Sequence, residues 1–277
     1  MLRKIFLICN LYFVSLTCGQ GSLFIIGGGD RPDYMMKKFV ELSGGANSSI
    51  LIIPFASSDP VETGKRQSEE MKKNGASESD YLSDSTNIDS IENLEKIKKA
   101  TGIFFSGGDQ NKLTKLFLRS KAYDLIMKKF KEGIIIGGTS AGAAIMSKIM
   151  ITGDEKKELK DNPFARIKKE TVCVLEGFGF IDWAIVDQHF VMRKRHNRLI
   201  SVVLENPSKI GIGIDEATAI IVNSSKKSFK VIGESGVIVY DARKAKIKEN
   251  KNGILGADSI EMKILIDGEE YFFENKN

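Results

Sequence analysis

Histidine is scarce in this chain, with two residues among 277, and cysteine nearly so, with three. No H-E-x-x-H run occurs and no closely spaced pair of cysteines, so the usual ligand patterns for a catalytic or structural zinc are missing. After Ser22 no apolar run approaches the length of a membrane span. A large excess of one charge is missing too. The chain carries 41 basic and 36 acidic residues; without Arg3 and Lys4, which belong to a leader discussed next, 39 face 36, a net charge of +3. That balance is too even to argue for nucleic acid as a partner. Gly27-Gly28-Gly29-Asp30 follows an apolar run, but Pro32 and Asp33 stand where G-x-G-x-x-G would continue, so a nucleotide cofactor is not implied.

The first 19 residues read differently from the rest. Arg3-Lys4 forms a short basic head, Ile5 to Val14 is apolar apart from Asn10, and the small or polar Ser15, Thr17 and Gly19 follow with Leu16 among them. This is the pattern of a secretory signal peptide over 1–19, ahead of a domain over 20–277. A buried first strand is the competing reading, but Ser22-Leu23-Phe24-Ile25-Ile26 already supplies one. The expected location is therefore outside the cytoplasm, extracellular or periplasmic. Cys18 adds the question of a lipid anchor. Leu16 sits one place nearer the cysteine than a lipobox leucine, and Thr17 is bulkier than that site prefers, so lipidation stays open. If Cys9 and Cys18 leave with the leader, Cys173 stands alone and no intramolecular disulfide forms.

What the chain does have is Gly138-Thr139-Ser140-Ala141-Gly142, a G-x-S-x-G run. Five residues with three fixed are weak evidence, and a plain Gly-rich turn is the bland alternative. The context is the required one, however. Ile134-Ile135-Ile136 reads as a buried strand before it, and Ala143-Ala144-Ile145-Met146 opens a run of helix formers after it. Glycines flanking Ser140 permit a strained turn, and the amide of Ala141 would point where an oxyanion forms.

A serine nucleophile needs a base, usually histidine. His189 ends the apolar strand Trp183-Ala184-Ile185-Val186-Asp187-Gln188-His189, where open α/β sheets gather functional side chains. His196 lies in Arg193-Lys194-Arg195-His196-Asn197-Arg198, read as the charged face of a helix, and is expected to be a solvated surface residue. His189 is the candidate base. The third member should be a carboxylate that orients the imidazole. Asp215-Glu216 stands inside the apolar, Gly-rich run Gly211 to Ala219, where burying a carboxylate is costly unless it is paired. Alternation along a strand lets one of the two face the site, and spacing alone does not say which.

Strands and helices alternate through the first half. Apolar strands at Leu23–Ile26, Ile50–Pro54, Ile103–Phe105 and Ile134–Ile136 are each followed by a helical pattern, clearest at Met35–Leu42, Val61–Asn74, Leu113–Leu118 and Ala122–Phe130. This implies an α/β fold with a mainly parallel sheet covered by helices on both faces. Short strands at Ala219–Val222, Phe229–Ile232 and Val237–Tyr240 predict an antiparallel C-terminal extension of the same sheet. The stretch from Glu155 to Glu170 mixes lysines with acids and reads as a solvated loop or helix.

Taken together, Gly138–Ala143, Asp187-Gln188-His189-Phe190 with Arg193, Arg195 and Arg198-Leu199, the Gly211–Ala219 run, Phe105-Ser106-Gly107-Gly108-Asp109-Gln110 and the opening Gly27-Gly28-Gly29 resemble the cyanophycinases of the peptidase E group. The resemblance runs from about Ser22 to the strands near Tyr240. It implies a flavodoxin-like fold and a serine exopeptidase cleaving multi-L-arginyl-poly-L-aspartate to β-aspartyl-arginine. It also implies a triad of Ser140, His189 and Glu216, which chooses between the two carboxylates by likeness alone. Gly108 and Ala141 would form the oxyanion hole. Gln110 and Gln188 would bind substrate, and at least one of Arg193, Arg195 and Arg198, with Arg195 foremost, would clamp an aspartyl carboxylate. No cofactor or metal is implied. The implied partner is the aspartyl-arginine polymer or another aspartyl peptide, with a homodimer left open. The alternatives are an α-aspartyl or isoaspartyl dipeptidase of the same family and, from a different class, a catalytically inactive exported binding protein.

Overall fold

A computed structural model describes residues 21–155 and 166–274. The leader 1–19 with Cys9 and Cys18, and positions 156–165 of the lysine-rich stretch, lie outside the described residues. In chain order the first half runs β1 (Ser22–Ile26), α1 (Asp33–Leu42), β2 (Ser49–Ile53), α2 (Pro60–Lys73), β3 (Glu78–Tyr81), α3 (Ile91–Lys99), β4 (Gly102–Phe105), α4 (Gln110–Phe117), α5 (Lys121–Lys131), β5 (Ile135–Thr139) and α6 (Ala141–Ala144). The second half runs β6 (Ile149–Glu155), β7 (Val172–Glu176), β8 (Ala184–Gln188), α7 (His196–Glu205), β9 (Ile210–Ile214), β10 (Thr218–Asn223), β11 (Ser228–Gly233), β12 (Val237–Asp241), β13 (Ile247–Glu249), β14 (Leu255–Ala257), β15 (Glu261–Leu265) and β16 (Glu270–Phe272).

Helix starts follow local chemistry. Asp59 accepts from the Glu62 amide ahead of Pro60 at the head of α2, and Ser90 and Ser120 cap α3 and α5 in the same way. The strands assemble into an eight-stranded sheet of order β16-β11-β10-β1-β5-β4-β2-β3. From β1 to β3 its neighbours are parallel, while β10, β11 and β16 continue it antiparallel. The parallel strands thus lie in the order 3-2-4-5-1, a different winding from the 2-1-3-4-5 of flavodoxin on the same mainly parallel plan. Alternation sends Phe24 and Ile26 to one face, against Met35, Met36 and Phe39 of α1. Leu23 and Ile25 go to the other, in the core that holds Leu113 and Phe117 of α4 and Ile126 and Phe130 of α5. Helices therefore cover both faces.

One expectation needs correction. The strand at Val237–Tyr240 does not extend the main sheet. As β12 it belongs to a second, four-stranded sheet of order β15-β12-β9-β8. The inner face of that sheet, including Val186, Ile212 and Val239, packs into the same core as Leu23 and Ile25, and α7 covers its outer face through Leu199, Val202 and Val203. The cause is visible in β12: Val237 and Val239 turn inward while Ile238 and Tyr240 meet the α7 cluster, so both faces of the strand are apolar and need cover. Residue 189 therefore leaves one sheet while residue 140 leaves another.

Candidate active site

Ser140 stands at the end of β5 with φ of 52°, a left-handed conformation that few non-glycine residues adopt. The turn is held from all sides. The Ser140 amide donates to the Ile26 carbonyl, and the Ser140 carbonyl accepts from Ala143 and Ala144. A Cβ at Gly138 would lie 2.4 Å from the Gly142 carbonyl oxygen, and one at Gly142 would lie 2.2 Å from that of Phe105. Glycine is therefore required on both sides of the serine by packing. The helix that follows is a single turn, Ala141–Ala144, shorter than its run of helix formers predicts. Its first amides, that of Ala141 among them, have no intrahelical acceptor. Beside it, a Cβ on Gly107 would come 3.3 Å from Ser140 Cβ, and Gly108, at φ of 136°, presses against the Ala56 carbonyl.

His189 faces this turn from the second sheet. Its Nε2 lies 2.8 Å from Ser140 Oγ, and its Nδ1 lies 2.5 Å from Glu216 Oε1. A carboxylate is an acceptor only, so Nδ1 carries the proton and Nε2 presents its lone pair to the serine hydroxyl. Burial holds the His189 pKa below its ordinary value, Arg193 and Arg195 push the same way, and Glu216 opposes them. The imidazole is neutral at pH 7 and able to take a proton. His189 has φ of 47°, and its amide donates to Gly27. The glycine loop after β1 forms the other side of the ring. A Cβ on Gly28 would sit 2.3 Å from His189 Cε1, and one on Gly29 would sit 2.8 Å from Glu216 Cβ. In the sequence these glycines belong to the family resemblance and read as an incomplete phosphate loop, with no role beside the histidine.

Charged groups brace the histidine from behind. Asp187, 1% exposed, accepts from Arg198 Nη2 and, at 2.9 Å, from Arg198 Nε. Arg195 Nη1 donates to the backbone oxygen of Gln188 at 2.6 Å and to its Oε1 at 2.7 Å. Among the described residues the other guanidinium nitrogens of Arg195 have no acceptor. Burial and the neighbouring Arg198 push the Arg195 pKa down to about 10, which leaves it a cation at neutral pH. Asp215 performs a task that sequence reasoning missed. Its Oδ1 accepts from the amides of Val191 and Met192, and its Oδ2 accepts from the Ser235 hydroxyl. It fastens the turn after His189 while the next residue, Glu216, meets the ring.

The structure brings Ser140, His189 and Glu216 together, with Gly108 and Ala141 on the serine side and Gln188, Arg193 and Arg195 on the histidine side. It does not bring Arg198. That side chain is 3% exposed and spent on Asp187, because α7 packs its first turns against the second sheet. Arg193 and Arg195 precede α7 in a tight turn instead of lying on its face. Gln110 is buried, with Nε2 donating to the Ile151 carbonyl at 2.9 Å, so its amide nitrogen is committed to β6. His196 is not a solvated residue. Its Nδ1 lies 2.7 Å from the Tyr240 hydroxyl and its ring meets Phe190 edge-on, because the first residue of α7 rests on β12. Among the described residues no cluster of His, Cys, Asp and Glu could hold a metal ion, and no helix is long and apolar enough to cross a membrane.

The chain is similar to known proteins over most of its length. The cyanophycinase of Synechococcus elongatus is 31% identical over 262 residues, covering 91% of this chain and 79% of that protein. The cyanophycinase of Geminocystis herdmanii is 33% identical over 230 residues, covering 81% and 82%. A crystal structure of a peptidase from an acI-B1 actinobacterium shares the fold, with a TM-score of 0.68 at 24% identity, covering 92% of this chain and 98% of that one. Peptidase family S51 matches residues 23–230, a span that holds the serine turn, His189 and the Asp215-Glu216 pair, and the chain is a serine-type peptidase belonging to that family.

Proposed function

We propose that the chain is an exported cyanophycinase-like exopeptidase that hydrolyses multi-L-arginyl-poly-L-aspartate to β-aspartyl-arginine dipeptides. The observation that carries this reading is the hydrogen-bonded line from Ser140 through His189 to Glu216, in a chain about 31% identical to cyanophycinases. In the proposed cycle Ser140 Oγ attacks the scissile carbonyl carbon while its proton passes to His189 Nε2. The negative charge that develops on the carbonyl oxygen meets the amides of Ala141 and Gly108. The C–N bond then breaks as His189 returns the proton to the leaving amine. Water attacks the resulting ester with His189 as base, releasing the acid and restoring the serine hydroxyl. Glu216 holds the ring and offsets the charge of the imidazolium. Arg195, with donors left over after binding Gln188, pairs with an aspartyl carboxylate. Export would rest on the leader at 1–19 and would put polymer digestion outside the cytoplasm.

The test is incubation with purified polymer and mass measurement of the products. Release of β-aspartyl-arginine is expected. Cleavage of free α-aspartyl or isoaspartyl dipeptides with the polymer left intact would overturn the substrate assignment. Failure of a serine-directed reagent to label Ser140 would favour a binding protein without activity.

A further inference from the structure

A pocket of about 460 Å³ opens between the loop after β2 and the helix α4, lined by Phe55, Ser57, Ser58, Lys112, Lys115 and Leu116 among others. It lies at the same sheet edge as Ser140 and shares a wall with it. The Ala56 carbonyl, one residue before Ser57, is the group on which Gly108 rests and to which the Asp109 amide donates at 2.9 Å. Gly107, on the near side of that loop, lies next to Ser140, where an added Cβ would come 3.3 Å from the serine Cβ. The pocket is therefore the next space along the edge from the serine, on the side away from His189.

Its charge is one-sided. The helices α1, α3 and α5 each offset a lysine with a glutamate three or four residues away: Lys38 with Glu41, Lys96 with Glu92, Lys128 with Glu132. In α4, Lys112 and Lys115 stand three residues apart, with no acidic residue in the helix and no ion pair among the described residues. Like charges at that spacing oppose the helix slightly, so the arrangement costs stability. Nearby aspartates keep their charge but, among the described residues, form no ion pair with either lysine. Asp59 turns back to the Glu62 amide, Asp109 to that of Asn111 and Asp84 to that of Thr86. The hydroxyls of Ser58 and Ser85 are exposed at the rim.

We propose that this pocket is a subsite for a carboxylate borne by the substrate chain beyond the scissile bond, with Lys112 and Lys115 as its recognition groups. The inference rests on the reading of the chain as a peptidase of carboxylate-rich aspartyl chains. In multi-L-arginyl-poly-L-aspartate each arginyl unit carries a free carboxylate, so a chain clamped at Arg195 and passing Ser140 would bring the next one toward α4. Two exposed ammonium groups suit such a ligand because they adapt to a flexible chain where a rigid fork would not.

Binding separates this inference from the activity. Full-length protein carrying Ser140→Ala would be titrated by fluorescence anisotropy with a labelled six-unit arginyl-aspartate oligomer, and with the analogue in which arginine amide removes the carboxylates. The same pair of titrations would be run with Lys112→Ala and Lys115→Ala added. Preference for the carboxylate form should fall roughly threefold to tenfold in the lysine variant, as two exposed ion pairs allow, and the gap should narrow as salt rises. Equal preference in the two proteins, including no preference in either, would overturn the subsite. Polymer digestion by the unsubstituted enzyme reads the proposed function independently.

Discussion

Around Ser140 the protein uses backbone and very small side chains, with Gly107, Gly138, Ala141 and Gly142 closing on the turn. Around His189 it uses charge, with Asp187, Arg195, Arg198, Asp215 and Glu216 bonded to one another or to the histidine turn. The first wall leaves no room for an added atom at Gly138 or Gly142 but stores little stability in any one side chain. The second places ionised groups where burial is expensive, so removing one partner strands the other. Loss of function and loss of folding should therefore separate on the serine side and coincide on the histidine side.

The sharpest test of that contrast is Ser140→Ala. It should lower kcat by about 10³-fold or more while changing unfolding free energy by no more than about 0.5 kcal/mol. Near-normal turnover would remove the serine mechanism, and a large loss of stability would blur the contrast. Asp187→Ala should lower activity and stability together, costing about 3–5 kcal/mol in urea unfolding because the buried Arg198 loses that carboxylate. A cost below about 1 kcal/mol would mean that the charges behind His189 are ornaments of the fold. Gly28→Ala pushes a methyl group into the His189 ring, and a displaced base should cost on the order of 100-fold in kcat. If kcat holds, the glycine loop does not position the ring.

Smaller effects refine the histidine side. Asp215→Asn keeps an acceptor for the Val191 and Met192 amides but weakens it, so kcat should fall roughly threefold to tenfold with KM little changed. An effect on KM alone would place Asp215 in substrate binding instead. Arg193→Gln removes a cation that opposes protonation of His189. The histidine pKa should rise, so the acid limb of kcat/KM should move to higher pH. A limb that stays put or moves down would mean that another group controls it.

The same contrast explains what the sequence made legible. The serine turn is built from residues adjacent in the chain, so its glycine spacing, the apolar strand before it and the alternation of the first half could be read directly. β3 and α3 were not read, because the edge strand Glu-Ser-Asp-Tyr lacks the apolar run that marks a buried one. On the histidine side, contacts span long separations. Arg198 looked like a substrate arginine because nothing local shows that α7 turns it onto Asp187, and His196 looked solvated because Tyr240 is 44 residues away. The second sheet was missed for the same reason: Val237–Asp241 is a plain apolar strand, and which sheet it joins is decided by β9. Choosing Glu216 over Asp215 needed family likeness from the sequence, and needs only the hydrogen bonds of each carboxylate in the fold.

Gly28 and Gly29 have a consequence for anyone wishing to transplant this chemistry. The imidazole and its carboxylate lean on bare peptide planes from the loop after β1, so the recipient scaffold must supply an empty mould as well as three side chains. Grafting Ser140, His189 and Glu216 onto a strand-and-helix frame whose first loop carries ordinary residues would displace the ring before any substrate arrived. The segments to be moved therefore include the loop after β1 and the Gly107-Gly108 loop, neither of which contributes a side chain.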